Sequence, residues 1–212
     1  MDLYARIALI DNVIRTASLS PDQFRELKDL LEDFQNEARH KENKAAGTVN
    51  IQKAFMTVIK AAQKHNSRNL TGAFKRGEHT YACDGHRLIR TKKDVSLPQA
   101  VGADVDTYWR KAESEIARHE EVDLPDPSEF AVDVKTMKKE AGKGYRIIYT
   151  FENGLCVDAE YLLEAMKATG TDRLVMDEGA TKKPMFFYGD DVDVMLLPVN
   201  SESTKPGLRI VW

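Results

Sequence analysis

Residues 81–90, Tyr-Ala-Cys-Asp-Gly-His-Arg-Leu-Ile-Arg, impose a kink between two extended segments. Tyr81–Cys83 and Leu88–Arg90 each read as strand. Asp84-Gly85 between them is a turn or bulge dipeptide, because glycine tolerates positive φ and an aspartate side chain hydrogen-bonds its own backbone. The cationic pair His86-Arg87 therefore sits just after the kink. Such geometry presents side chains without by itself assembling an enzyme site. The neighbouring sequence extends it into a meander: Asn69–Lys75, a turn at Arg76-Gly77-Glu78, His79–Cys83, then Arg87–Lys92.

A helix precedes this meander. Over residues 50–64, Ile51, Phe55, Val58, Ile59 and Ala62 recur at helical spacing and define a buried face. Lys53, Lys60 and Lys64 fall together on the opposite side, and Arg68 lies just beyond. The last third of the chain repeats the order. Asp158 is a suitable N-cap for a helix over Ala159–Thr169, and Gly170 closes it. Strands Leu174–Asp177, Pro184–Tyr188 and Val192–Val199 follow, the last two joined by a Gly189-Asp190-Asp191 turn. Helix plus three strands, twice, is an internal architectural repeat with little residue identity.

Around this pattern lie three additions. Residues 1–46 form a helical arm: Leu3, Ile7, Ile10, Val13 and Ile14 mark one helix. Ser20-Pro21-Asp22-Gln23 starts a second as a capping box, with Phe24, Leu27, Leu30, Leu31 and Phe34 on one face; it runs to about residue 42, and Gly47 ends the arm. An amphipathic arm needs an apolar partner, either its own body or another subunit. Residues 93–144 read as an insertion in the remaining domain, 47–212. It holds a helix over Val105–His119, a stiff Leu124-Pro125-Asp126-Pro127 linker, a strand Phe130–Val134 and a short basic helix Lys135–Ala141 ended by Gly142. Strand Tyr145–Phe151, a Glu152-Asn153-Gly154 hairpin turn and a return over Leu155–Val157 come next. The tail Pro206–Trp212 is either a final edge strand or a segment that docks in a groove of a partner or neighbour. The fold class is α+β.

Charge and composition narrow the function. Residues 47–100 carry ten Lys or Arg against three acids, within a chain of net charge −3. A basic segment in an acidic protein suggests a surface facing a polyanion; the alternative is a solvated helix face and a charged edge strand. No apolar run approaches the ~20 residues of a membrane span, and Asp2, Arg6, Asp11 and Arg15 interrupt the N-terminal apolar stretch as no signal peptide would be. Cys83 and Cys156 lack Cys-x-x-Cys spacing and read as reduced core thiols of a cytoplasmic protein. Catalysis finds little support. His40, His65, His79 and His119 add no ligand spacing to Cys83 and His86. Asp84 with His86 lacks a nucleophile context, and Gly142-Lys143-Gly144 lacks a phosphate-loop framework. Asp190, Asp191 and Asp193 read as a solvated hairpin tip ahead of a weak cation site. The expectation is a non-enzyme without metal or cofactor.

Two stretches carry a resemblance. Asp84-Gly85-His86-Arg87-Leu88 with its flanking strands, and residues 157–199 closing on Met195-Leu196-Leu197-Pro198-Val199, resemble the bacterial DNA sliding clamp, the DNA polymerase III beta subunit. The resemblance covers about 49–92 and 145–199. It implies a single clamp-like domain built from a doubled helix-plus-strands unit. Clamp subunits hold three such domains and two subunits close a ring, so this chain would need six copies to make one. In the family, channel helices turn Lys and Arg toward DNA, which here implicates Lys53, Lys60, Lys64 and Arg68. Such contacts would be to phosphate, sequence-independent and weakened by salt. The helix 159–169 departs from that pattern, with Glu160 and Glu164 against Lys167. Family clamps also take short hydrophobic peptides of polymerases and repair proteins in a pocket. By position it would involve Gly85, His86, Arg87, Leu88, Leu196, Leu197, Pro198 and Val199. The structural alternative makes Leu88 and Leu196 core residues and Arg87 a surface pair. The resemblance thus implies a DNA-replication accessory protein, from a phage or mobile element, that contacts duplex DNA, docks partner peptides or both. The other reading is a clamp-fold interaction module without DNA, forming a homo-oligomer through residues 1–46.

Overall fold

The computed structural model describes residues 2–64, 70–100, 105–116, 118–142, 145–178, 182–199 and 208–211. Two long helices open the chain, α1 (Leu3–Thr16) and α2 (Pro21–Ala46). The predicted capping box at Ser20 and Gln23 forms, and Gly47 ends α2 in the left-handed region. The two helices pack on each other, with the Arg6 guanidinium 5.9 Å from the Phe34 ring centre and Tyr4 donating to Glu42; Ile10 of α1 and Ala38 of α2 are buried. Asn43, buried at the base of α2, donates to the Ser96 carbonyl and accepts from the Ser96 amide and the Thr48 hydroxyl. One side chain thereby pins the arm to the body.

The body comprises α3 (Val49–Lys64), β1 (Phe74–Arg76), β2 (His79–Cys83), β3 (Arg87–Thr91), α4 (Val105–Ser114), β4 (His119–Asp123), α5 (Pro127–Ala141), β5 (Ile147–Thr150), β6 (Cys156–Asp158), α6 (Ala159–Thr169), β7 (Arg173–Asp177), β8 (Met185–Tyr188), β9 (Asp193–Leu196) and β10 (Leu208–Val211). A seven-stranded sheet runs β1-β2-β3-β9-β8-β7-β4, all neighbours antiparallel. The two helix-plus-three-strand segments meet at its centre, where β3 pairs β9 with Leu88 opposite Met195. A smaller sheet, β10-β5-β6, has β10 parallel to β5. The tail segment is therefore an edge strand.

Strand alternation assigns the two faces of the large sheet. Ala82, Ile89, Phe187, Val194 and Leu196 point to the main core, shared with α3, α5, α6 and the small sheet. Tyr81, Leu88, Phe186 and Met195 point the other way, under Trp109 of α4. Trp109 packs edge-on to Phe186 at 5.5 Å and lies 4.1 Å from the Arg90 guanidinium, which pairs with Asp193 at 2.8 Å.

The insertion differs from expectation. Residues Phe130–Val134 are helical, part of a continuous α5, and not a strand. Asp126 caps that helix by accepting from the Ser128 and Glu129 amides, and Pro127 fits its first turn. Phe130 and Val134 are buried with Met137 and Ala141 packed behind them, so the 3.6-residue period prevails. The helix expected to reach His119 ends at Ser114, and His119 begins β4, which pairs with β7 at the sheet edge. The first strand of the meander is shorter than expected, Phe74–Arg76, with residue 69 outside the described residues.

Candidate nucleic-acid interface

Helices α3, α6 and α5 lie on one side of the sheets, α6 in contact with both others. On α3 the five expected residues, Ile51, Phe55, Val58, Ile59 and Ala62, are the buried ones. The helical period consequently turns Lys53, Lys60 and Lys64 outward, and all three are exposed. None of them makes an ion pair with a described residue. Thr48 joins the base of the arm, at Asn43, to the start of α3, and the lysine row beyond it stays exposed. Arg68 lies outside the described residues.

A groove of about 530 Å³ separates α3 from α6. Its walls include Asn50, Lys53 and Thr57 from α3 and Glu164, Lys167 and Thr169 from α6. Ala54, Val58, Ala165 and Val194 form an apolar floor. Asp158 caps α6 by accepting from the Glu160 and Tyr161 amides; burial pushes its carboxyl up, while those amides and Arg146 act against the shift. At the other end of α6 the chain passes so close that a Cβ on Gly189 would stand 2.3 Å from the Thr169 carbonyl oxygen.

Both carboxylates of α6 that set it apart in the sequence have basic partners in the fold. Glu160 pairs with Lys138 of α5 at 2.5 Å. Glu164 pairs with the Arg87 guanidinium, whose Nε also donates to Asp84 at 2.8 Å. Asp84 accepts in addition from the His86 and Arg87 amides, both at 2.9 Å, while Gly85 takes φ 90° to close the turn. The Arg87 guanidinium stands 4.3 Å from the Tyr161 ring centre. Burial pulls the Arg87 pKa down, and Asp84 and Glu164 outweigh it and hold it raised.

This arrangement sorts the eight peptide-pocket positions. Arg87, Leu88 and Leu196 are buried, at 5%, 1% and 0% exposure. Arg87 is thus an interior ion-pair partner and not a surface pair. Gly85 is exposed, and His86, Leu197, Pro198 and Val199 are half-buried. The Leu197 amide donates to the His86 carbonyl and the Val199 amide to the Cys156 carbonyl, so this run bridges the two sheets. His86 lies beside Tyr161, ring centres 5.9 Å apart. Sequence reasoning missed Lys138 and Tyr161 as neighbours of this region. The spacing of Phe130, Val134, Met137 and Ala141 was the available signal for α5.

Among the described residues no His, Cys, Asp and Glu group is arranged to hold a metal ion, and no helix is long and apolar enough to cross a membrane. Both cysteines are free.

No protein-family model and no curated protein matches the chain. Solved structures of the Helicobacter pylori beta clamp, one bound to a DNA ligase peptide and one in complex with diflunisal, are similar at a TM-score of 0.49. Identity is 15% and 14%, over 71% of this chain and 62% and 63% of theirs. The DnaN sliding clamp (DNA polymerase III subunit beta) of Bartonella birtlesii, bound to griselimycin, is similar at a TM-score of 0.48 and 12% identity, over 73% of this chain and 64% of that one. The chain therefore spans less than two-thirds of the length of each of these clamps.

Proposed function

We propose that this chain is a non-enzymatic accessory protein of DNA metabolism, a clamp-like domain that lays its helical side against duplex phosphates. The observation that supports it is the row Lys53, Lys60 and Lys64: exposed, and without ion pairs among the described residues. Unpaired lysines on a rigid helix meet phosphates at little reorganisation cost and carry no sequence preference. The two helix-plus-three-strand segments joined at β3 and β9 are consistent with the doubled unit the sequence implies. Peptide docking would use the accessible His86, Leu197, Pro198 and Val199.

The test is fluorescence anisotropy of a labelled duplex of mixed sequence, titrated with wild type and with Lys53→Glu/Lys60→Glu/Lys64→Glu. Each phosphate contact adds about 0.9 to the salt slope, so the triple variant should lose roughly 150-fold in affinity at about 0.15 M salt. Absence of wild-type binding at low salt would reject the reading. A second reading, an interaction module without DNA, draws on the arm, where Tyr4, Leu9, Phe24 and Leu30 remain exposed. It predicts self-association that substitution of those residues abolishes and that DNA does not alter.

A further inference from the structure

Helix α5 belongs to the 93–144 insertion, outside the stretch that carries the clamp resemblance. We propose that it is a second phosphate-contacting helix of the same face, acting through Lys135 and Lys139; this rests on the duplex-binding reading above. The inner side of α5 is fixed by buried Phe130 and Val134, with Met137 and Ala141 behind them. At 100° per residue, Lys138 lies on the flank toward α6, where it reaches Glu160. Lys135 and Lys139 are placed further round, on the outward side, and both are exposed. Neither has an ion pair among the described residues.

Helix α6 stands between the two lysine rows. Its outward carboxylates, Glu160 and Glu164, are already paired with Lys138 and Arg87, which leaves Lys167 as its unpaired outward charge among the described residues. Helix α5 also carries Glu129, Asp133 and Glu140, which the helical period places on its flank away from Lys138 and α6, so Lys135 and Lys139 form a local basic stripe on its outward side. Packed helices stand 8–10 Å apart, so the α3 and α5 rows are separated by roughly 16–20 Å.

The experiment compares Lys135→Glu/Lys139→Glu with the α3 triple variant and with Lys111→Glu on α4, across the large sheet, in duplex titrations over a salt series. Two contacts contribute about 1.8 to the salt slope and roughly 30-fold in affinity at about 0.15 M salt. The milder Lys135→Gln/Lys139→Gln pair, which keeps the helix-forming character of both positions, should lower the slope by the same amount. Loss in the α3 variant with full binding and an unchanged slope in both α5 variants would overturn this inference and leave the duplex-binding reading standing. Equal losses from Lys111→Glu would also overturn it, since that charge faces elsewhere. If wild type binds no duplex, the underlying reading fails and this one with it.

Discussion

Replacing Asp84 with alanine removes the partner of a buried guanidinium and the acceptor for two backbone amides at once. Asp84 and Arg87 are 3% and 5% exposed, so water cannot take the place of the lost carboxylate. Two bonds at 2.9 Å to amides and one at 2.8 Å to Arg87 Nε disappear together. Breaking a buried pair from one side costs about 3–5 kcal/mol. Glu164 stays in contact with Arg87, and its partial exposure makes it the weaker support, so the lower half of that range is expected. At this chain length 1 kcal/mol lowers Tm by roughly 2–4 °C, which gives a drop of about 6–16 °C. Urea unfolding with unchanged m measures the same quantity without heating. An exposed pair is the control: Lys92–Glu78, at 3.6 Å, should lose less than about 1 kcal/mol on Lys92→Ala. A cost below about 1 kcal/mol for Asp84→Ala would refute the interior role of Arg87 and return it to the surface as a docking side chain.

Three further outcomes follow from single sites. Asn43→Ala should cost about 3 kcal/mol, because the Ser96 amide and carbonyl lose their partner, and should speed amide exchange through α2; unchanged thermal stability would contradict the anchoring role. Burial pushes the Cys83 thiol from 9.0 up to about 11, so at pH 8 the native protein should alkylate roughly 100-fold more slowly there than the unfolded chain; equal rates would contradict it. Burial and the bond to Glu113 raise the Tyr188 phenol, so its contribution is present below the ordinary value of 10.0 and lost as pH rises above it. Tyr188→Phe should therefore flatten the loss of stability on alkaline titration, and an unaltered profile would argue against that contact.

The parts legible in the sequence were those set by local periodicity and caps. All five inward residues of α3 and both ends of α6, Asp158 and Gly170, lie where their spacing and end chemistry place them. Phe130, Val132 and Val134 gave a misleading two-residue period, and β-branched side chains reinforced it. Val132 is 63% exposed, which shows that the longer Phe130-Val134-Met137-Ala141 pattern and the Asp126 cap decide the element. Strand β4 has a single apolar residue, Val122, in His-Glu-Glu-Val-Asp, and owes its conformation to pairing with β7. The Arg87–Glu164 contact joins residues 77 apart and Lys138–Glu160 joins residues 22 apart, so no local pattern announces them. Those two pairs give both carboxylates of α6 a basic partner within the fold.

The most direct measurement is amine-reactive footprinting of every lysine, read by mass spectrometry with and without duplex DNA at low salt. The account predicts protection of Lys53, Lys60 and Lys64 on α3, reversed by raising salt, while Lys111 on α4 keeps its free reactivity. Uniform reactivity in the presence of DNA, or protection centred on Lys111, would contradict it.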